Sequence, residues 1–406
     1  MAEHEHLVVV GASLAGMRAV GAARRSGFAG RISLVGAEPH LPYDRPPLSK
    51  AYLEADHEPE PPYLCDAEDH ATHPRTDVLL GVPATALDTR SRLIEVGHRE
   101  IHYDKVVIAT GSVARKPLLA EGLRGVHVLR TIDDAVAIRR GLAAARSVVV
   151  VGAGFVGAEV ASSARTRGCE VTIVEAAPAP LARALGAEMG VRCGTLHEAN
   201  GTTLRCGVTV TAIEGRERRH VRLSDGSSVT ADLVVVGVGA DPATDWLART
   251  DLELDNGVVC DEMLATSEPG VYAAGDVARW RNGWLDELMR REHWTTAAEQ
   301  GEAAARNAVA PERAKPYTSV PYVWTDWYGV RIQFLGVCDG DETRVVSGSP
   351  EEHRFVALYR RGDRLAGVLA MDEQAEVMKY RRLLRSRARW TDALAFAQTR
   401  RTARAA

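Results

Sequence analysis

The feature that most constrains this chain is a device it carries twice. Leu7-Val8-Val9-Val10 is a β-branched run leading into Gly11-Ala12-Ser13-Leu14-Ala15-Gly16, and an Ala-rich helical pattern follows to about Ser26. Arg31-Ile32-Ser33-Leu34-Val35 then reads as a second strand that closes near Glu38. Some 140 residues later the order returns. Residues 147–151 form a strand, Gly152-Ala153-Gly154-Phe155-Val156-Gly157 a turn and residues 158–166 a helix, and Val171-Thr172-Ile173-Val174 ends at Glu175. In such a unit the first glycine permits the strand-to-helix turn, the second lets backbone approach a pyrophosphate, and the third allows close helix–strand packing. The helix then presents free N–H groups and its positive dipole end to the anion. The acid after the second strand accepts from a ribose hydroxyl. It lies 22 residues beyond Gly16 in the first copy and 18 beyond Gly157 in the second, close to the usual offset of about 20.

Two such units in one chain imply two dinucleotides. The first copy has Ser13 where the second glycine belongs, a residue small enough to admit the pyrophosphate. At the second site Glu175 favours NADH, because a carboxylate pairs with a 2′-hydroxyl and repels a 2′-phosphate. Ala176 and Ala177 follow it, although Arg183 lies near enough to leave NADPH open. The first site has features that suit FAD. Val106-Val107-Ile108-Ala109-Thr110-Gly111 is a buried-strand run ending in a turn. Gly270-Val271-Tyr272-Ala273-Ala274-Gly275-Asp276 reads as another strand-to-helix junction, with Asp276 placed for ribityl hydroxyls and a following helix aimed at the pyrophosphate. An N-cap aspartate without a ligand is the competing reading of Asp276.

Composition removes several function classes. A chain of 406 residues is too long for one core and divides into two or three domains. A formal charge of −4 argues against a dedicated nucleic-acid binder. No uncharged apolar run reaches the roughly 18 residues a membrane span needs. Met1-Ala2-Glu3-His4-Glu5-His6 has no basic n-region, so a secretory signal is not expected. Cys65, Cys169, Cys193, Cys206, Cys260 and Cys338 are scattered, the nearest pair 13 positions apart, so no metal knuckle or redox dithiol is written here.

The chain resembles the NADH-dependent ferredoxin reductases that serve bacterial cytochrome P450 and Rieske-type oxygenase systems. The resemblance is carried, in order, by residues 11–16, Arg45-Pro46-Pro47-Leu48-Ser49-Lys50, Ala109-Thr110-Gly111, residues 152–157 with Glu159, Ala274-Gly275-Asp276 and Glu292-His293-Trp294. Rubredoxin reductases and the apoptosis-inducing factor family are more distant likenesses. It implies an α/β fold with two Rossmann-like domains, for FAD and NAD, and a C-terminal α+β domain. The FAD domain is expected from residues 1–112 and 245–322, the NAD domain from 113–244 and the last domain from 323–406. In that last part residues 354–359 and 365–370 read as strands and residues 374–385 as a helix. The likeness further implies a Lys50–Glu159 pair beside the flavin where nicotinamide arrives, and Arg45 as a pyrophosphate clamp. FAD contacts are implied at Gly11, Ser13, Leu14, Ala15, Gly16, Glu38, Ala84, Thr110, Gly111, Arg130, Asp276, Trp294 and Trp324. NAD contacts are implied at Gly152, Gly154, Phe155, Val156, Gly157, Glu159, Glu175, Arg183 and Gly239.

The electron acceptor follows partly by elimination. A disulfide reductase needs a dithiol near the flavin, and related peroxidases carry one redox cysteine shortly after the first unit. Here that region reads Pro42-Tyr43-Asp44-Arg45-Pro46. From Lys379 onward nine basic residues face only Asp392. Such a surface would steer a small acidic ferredoxin, with a 2Fe–2S or other cluster, that supplies a cytochrome P450 or other oxygenase; a solvated basic tail is the plain alternative. A cytoplasmic monomer or weak homodimer is expected. A quinone or small-molecule NADH reductase and a slow redox-sensing flavoprotein are the competing functions.

Overall fold

Runs of valine and isoleucine with no polar alternation cannot leave either face in water, so they become central strands of parallel sheets. A computed structural model of the chain describes residues 4–64 and 75–405. It divides into two units: Met1–Asp44, Pro61–Val113 and Ala240–Ser319 form the first, and Arg45–Glu60, Ala114–Gly239 and Val320–Ala406 the second.

In the first unit five parallel strands run in the order Val271–Ala273, Lys105–Ile108, His6–Val10, Arg31–Val35, Thr76–Leu79. Leu7, Val8 and Val9 are fully buried. The chain leaves the central strand His6–Val10 at the point where strand order reverses, where open α/β sheets bind ligands. Two helices, Leu14–Arg25 and Trp294–Val309, pack closely on this sheet and on each other. Small residues make that approach possible: a Cβ on Gly301 would lie 2.2 Å from the Ala15 carbonyl oxygen. Two three-stranded sheets complete the unit, Ala84–Asp88 with Leu93–Val96 and Arg99–His102, and Val258–Cys260 with Ala278–Asn282 and Glu287–Met289.

The second unit repeats the parallel sheet. Its order is Thr203–Cys206, Glu170–Glu175, Ser147–Val151, Leu233–Val236, Val126–Val128. The helix Phe155–Thr166 follows the central strand, and Thr131 and Asp134 form a capping box that starts the helix Ile132–Ala144. An antiparallel sheet from the C-terminal part runs Tyr322–Trp327, Val330–Gly336, Arg364–Met371, Arg354–Arg361, Glu342–Ser349. Its inner face, with Trp327, Phe334, Phe355 and Tyr359, shares one core with Leu185, Met189 and Cys193 from the helices beside the dinucleotide turn. That common core is why the two sheets fall in one unit.

Two expectations need correction. No α-helix starts at Asp276. It sits in a 3-10 turn, Gly275–Val277, that passes straight into the strand Ala278–Asn282, where buried Ala278, Trp280 and Asn282 alternate with less buried residues. That period of two overrides a helical start. The helix expected over residues 374–385 is likewise interrupted. A 3-10 turn at Met378–Tyr380 separates Gln374–Val377 from Arg381–Arg385 and sets Tyr380 edge-on to Phe396, centroids 5.1 Å apart.

Candidate functional site

At the first turn, Gly11 has φ +120°, and a Cβ there would lie 2.0 Å from the Ala109 carbonyl oxygen, so only glycine fits. Its N–H donates to Val35 O at 2.7 Å, tying the turn to the second strand. Gly16 is required by packing, since its Cβ would meet Gly11 O at 1.9 Å. Ser13 is the N-cap of Leu14–Arg25 and makes no side-chain capping bond. The first-turn N–H groups at Leu14, Ala15 and Gly16 are thereby left to an anion. Glu38 accepts from the Tyr43 hydroxyl. Ala84 opens its strand beside the core of this unit. Thr110 Oγ1 donates to Ala243 O at 2.9 Å, and Gly111 turns at φ +70°. Asp276 accepts from Ser112 Oγ at 3.0 Å, and the N–H of Gly275 donates to Gln300 Oε1 at 2.9 Å, which fixes the acid's loop against the long helix. Trp294 donates its Nε1–H to Asp44 at 2.7 Å. An uncapped helix start, a nearly buried acid and an anchored aromatic in one unit fit a dinucleotide with a polyol and a flat ring, as FAD is.

The second turn differs in one informative way. Gly152 and Gly157 are packed as in the first copy, their added Cβ atoms 2.4 Å from Gly237 O and 2.1 Å from Gly152 O. Gly154, by contrast, has an ordinary φ of −74° and nothing within 4 Å of an added Cβ. Neither a positive φ nor packing asks for glycine there, and its backbone is open to the close approach of a ligand. The turn opens on a cleft of about 370 Å³ whose lining includes Gly154, Phe155, Glu175, Arg183 and Gly239. Val156 faces outward, 40 % exposed. Glu175 is held at both oxygens: Ala153 N–H donates at 2.6 Å and Ala177 N–H at 2.7 Å. This orients the carboxylate at the cleft's edge with lone pairs to spare for a ribose.

Glu159, one turn into the helix Phe155–Thr166, is 5 % exposed. Its Oε2 accepts from Lys50 Nζ at 2.8 Å and Ser49 Oγ at 2.5 Å, and its Oε1 from Thr325 Oγ1 at 2.7 Å. Lys50 also donates to Pro46 O at 3.0 Å, so the Pro-stiffened loop dictates where its ammonium points. Arg45 donates to the carbonyl of Arg130, bringing those two residues together. Trp324 stacks on Tyr322, centroids 5.8 Å apart. Sequence reasoning found Lys50 and Glu159 but not Ser49, Thr325 or Ser112 as their partners and that of Asp276. Ser49 lies inside the quoted Arg45-to-Lys50 segment, while Thr325 had no local signal.

Of the basic C-terminal residues, Lys379 and Arg400 are committed to Glu376, at 2.7 and 3.1 Å. Arg382, Arg385 and Arg389 are exposed. Cys169, Cys193, Cys206, Cys260 and Cys338 are free thiols, and Cys65 lies outside the described residues. Among the described residues no cluster suits a metal ion and no helix is long and apolar enough to cross a membrane.

Residues 5–301 match the family model described as pyridine nucleotide-disulphide oxidoreductase, and residues 322–405 match the one described as reductase C-terminal. The chain is 37 % identical to the rhodocoxin reductase of Rhodococcus erythropolis, over 93 % of this chain and 89 % of that protein. It is also 37 % identical to the biphenyl dioxygenase system ferredoxin–NAD(+) reductase component of Paraburkholderia xenovorans, over 87 % and 86 %. The solved covalent putidaredoxin reductase–putidaredoxin complex superposes with a TM-score of 0.91 at 30 % identity, covering 99 % of this chain and 100 % of that one.

Proposed function

The chain belongs to the pyridine nucleotide-disulphide oxidoreductase family, and from that premise we propose that it is an FAD-dependent NADH–ferredoxin reductase feeding an oxygenase. The observation that carries this reading is the pair of phosphate-binding turns in one chain, at Gly11 and at Gly152, each opening an uncapped helix. They are read as the sites of FAD and NADH respectively. When bound, FAD supplies two-electron uptake from NADH and one-electron release to an iron–sulfur protein.

The chain's own residues bind, orient and shield. In the first unit Leu14, Ala15 and Gly16 offer N–H groups to the FAD pyrophosphate, and Asp276 accepts from its ribityl hydroxyls, with Ser112 holding the acid. Glu38, Ala84, Thr110, Gly111 and Trp294 are assigned to the remainder of that cofactor. In the second unit the cleft takes NADH, Glu175 reading the 2′-hydroxyl and Gly154 admitting the pyrophosphate. Lys50, fixed by Glu159, places a positive charge at the nicotinamide end, and Arg45, Arg130 and Trp324 are assigned to the flavin on the resemblance. Domain limits of 1–112 with 245–322, 113–244 and 323–406 follow the same assignment. Scattered free thiols suit a cytoplasmic setting.

Among the described residues no dithiol is present, which favours a one-electron protein acceptor over a disulfide. Turnover with NADH, catalytic protein and a purified acidic ferredoxin tests this, with a soluble quinone in a parallel assay. Ferredoxin-dependent NADH oxidation that saturates in ferredoxin is the expected result. Saturable turnover with the quinone and none with any ferredoxin would replace the reading with a small-molecule reductase.

A further inference from the structure

We infer that Thr325, on the C-terminal antiparallel sheet, is a positioning residue for the nicotinamide end of the NADH site, fixing the Glu159 carboxylate in orientation so that Glu159 holds Lys50. The inference rests on the reading of Lys50 and Glu159 given above and extends it to a residue outside the dinucleotide fold.

The geometry sets the direction of every proton. Trp327 Nε1–H can only donate, and it meets Thr325 Oγ1 at 2.9 Å. Thr325 must therefore accept from Trp327 and turn its single hydroxyl hydrogen elsewhere, to Glu159 Oε1 at 2.7 Å. A proton on that Oε1 would face a hydroxyl hydrogen, so the arrangement selects the bare carboxylate oxygen. Thr325 and Trp327 are both fully buried, and water does not substitute for either donor. The opposite oxygen is less constrained. Ser49 Oγ lies 2.5 Å from Glu159 Oε2 and 3.4 Å from Pro46 O, so its hydrogen has a second destination. Thr325 is thus the partner of Oε1, while Ser49 and Lys50 share Oε2.

A carboxylate 5 % exposed is costly unless its lone pairs are met. Lys50 is the charged group in contact with it. The other titratable residues on elements packed against its helix are engaged elsewhere or exposed. Glu54 accepts from Ser163, Glu175 from backbone N–H groups and Asp326 from Arg331; Tyr322 accepts from Gln333, and Glu170 is exposed. Removing the Thr325 hydroxyl leaves Oε1 unmet, releases the carboxylate from its orientation and frees Lys50 to leave its place.

The test compares flavin-loaded wild type, Thr325→Val and Thr325→Ser. Thr325→Val keeps the shape and removes the hydroxyl; Thr325→Ser restores it. The carboxyl carbon resonance of Glu159 is recorded at fixed pH in protein labelled at its glutamate carboxyls, the signal identified by its loss in Glu159→Gln. Thr325→Val is expected to move that resonance and to slow NADH-driven flavin bleaching about tenfold, the loss of one charge-assisted hydrogen bond. Thr325→Ser should return both. A resonance unmoved in Thr325→Val overturns the inference, as does a moved resonance with the bleaching rate left in place or a failure of Thr325→Ser to restore it. If NADH fails to bleach the wild-type flavin, the proposed function falls separately, and the carboxyl resonance still decides whether Thr325 holds Glu159.

Discussion

The backbone N–H of Ala153, inside the second glycine turn, donates to the carboxylate of Glu175 at 2.6 Å, so the turn and the acid at the end of the second strand are locked together. In the proposed NADH site an acid fixed in this way would select by charge. Glu175→Ala is expected to lower the ratio of kcat/KM for NADH over NADPH by about 10- to 100-fold, mostly through KM. Steady-state kinetics with both nucleotides checks this; an unchanged ratio would remove Glu175 from the ribose.

Gly154 offers a cleaner probe of the pyrophosphate than its neighbours. An added methyl meets no protein atom within 4 Å, so Gly154→Ala is expected to change unfolding free energy by no more than about 1 kcal/mol, the cost of alanine at a helix N-cap. The same methyl projects into the cleft and should raise the KM for NADH about tenfold or more. Gly157→Ala, whose Cβ would lie 2.1 Å from Gly152 O, should instead impair folding. Thermal melts beside kinetics separate the two. A Gly154→Ala protein that binds NADH normally would place the nucleotide elsewhere.

How much of this was legible from residues alone depends on whether the signal was local. Gly11, Gly16, Gly152 and Gly157 announce their turns because backbone in that conformation, or in that contact, tolerates no side chain. Glu38 and Glu175 follow from strand length. The strand leading to Asp276 was legible, yet the segment after it was misread, since alternation over Ala278–Asn282 is a short signal beside a glycine-rich junction. Thr325 and Ser112 were invisible. They reach Glu159 and Asp276 across 166 and 164 residues of chain, and no spacing rule links positions that far apart. The exposed arginines were legible as a charge run, but not that Glu376 claims Lys379 and Arg400 from it.

Acid sensitivity should arise at the seam between His197 and the turn after Trp327. His197 is fully buried, lies over the Trp327 ring at 4.5 Å and meets Tyr328 Oη at 2.8 Å, and burial lowers its pKa to about 4. The folded state therefore keeps it neutral, while the unfolded chain takes a proton below about 6.5. Its contribution is intact above pH 6.5 and is lost as pH falls toward 4, by roughly 3 kcal/mol in all. Glu376, held near 2 by Arg400 and Lys379, adds a further loss with the same sign at lower pH, from 4.5 downward. Denaturant titrations at pH 7 and pH 5 should show the first loss in the wild type and little of it in His197→Gln. Equal pH dependence in both proteins would assign it elsewhere.

The exposed arginines of the C-terminal segment should act on association rather than on chemistry. Exchanging Arg382, Arg385 and Arg389 for serine is expected to slow ferredoxin reduction about tenfold at low salt and to leave flavin bleaching by NADH unchanged. The difference should shrink as ionic strength rises and the Debye length falls below about 10 Å. Ferredoxin reduction rates across a salt series settle it, and parallel curves for the two proteins would make this face a solvated surface only.

Electron uptake from NADH into a bound flavin, with NADH preferred to NADPH, is read by anaerobic stopped-flow absorbance of the purified protein mixed with either nucleotide. The expected result is an oxidised-flavin spectrum that NADH bleaches rapidly and NADPH far more slowly. A protein without flavin, or bleaching that takes minutes with both nucleotides, would overturn the proposed function and leave a slow redox-sensing flavoprotein or a structural role in its place.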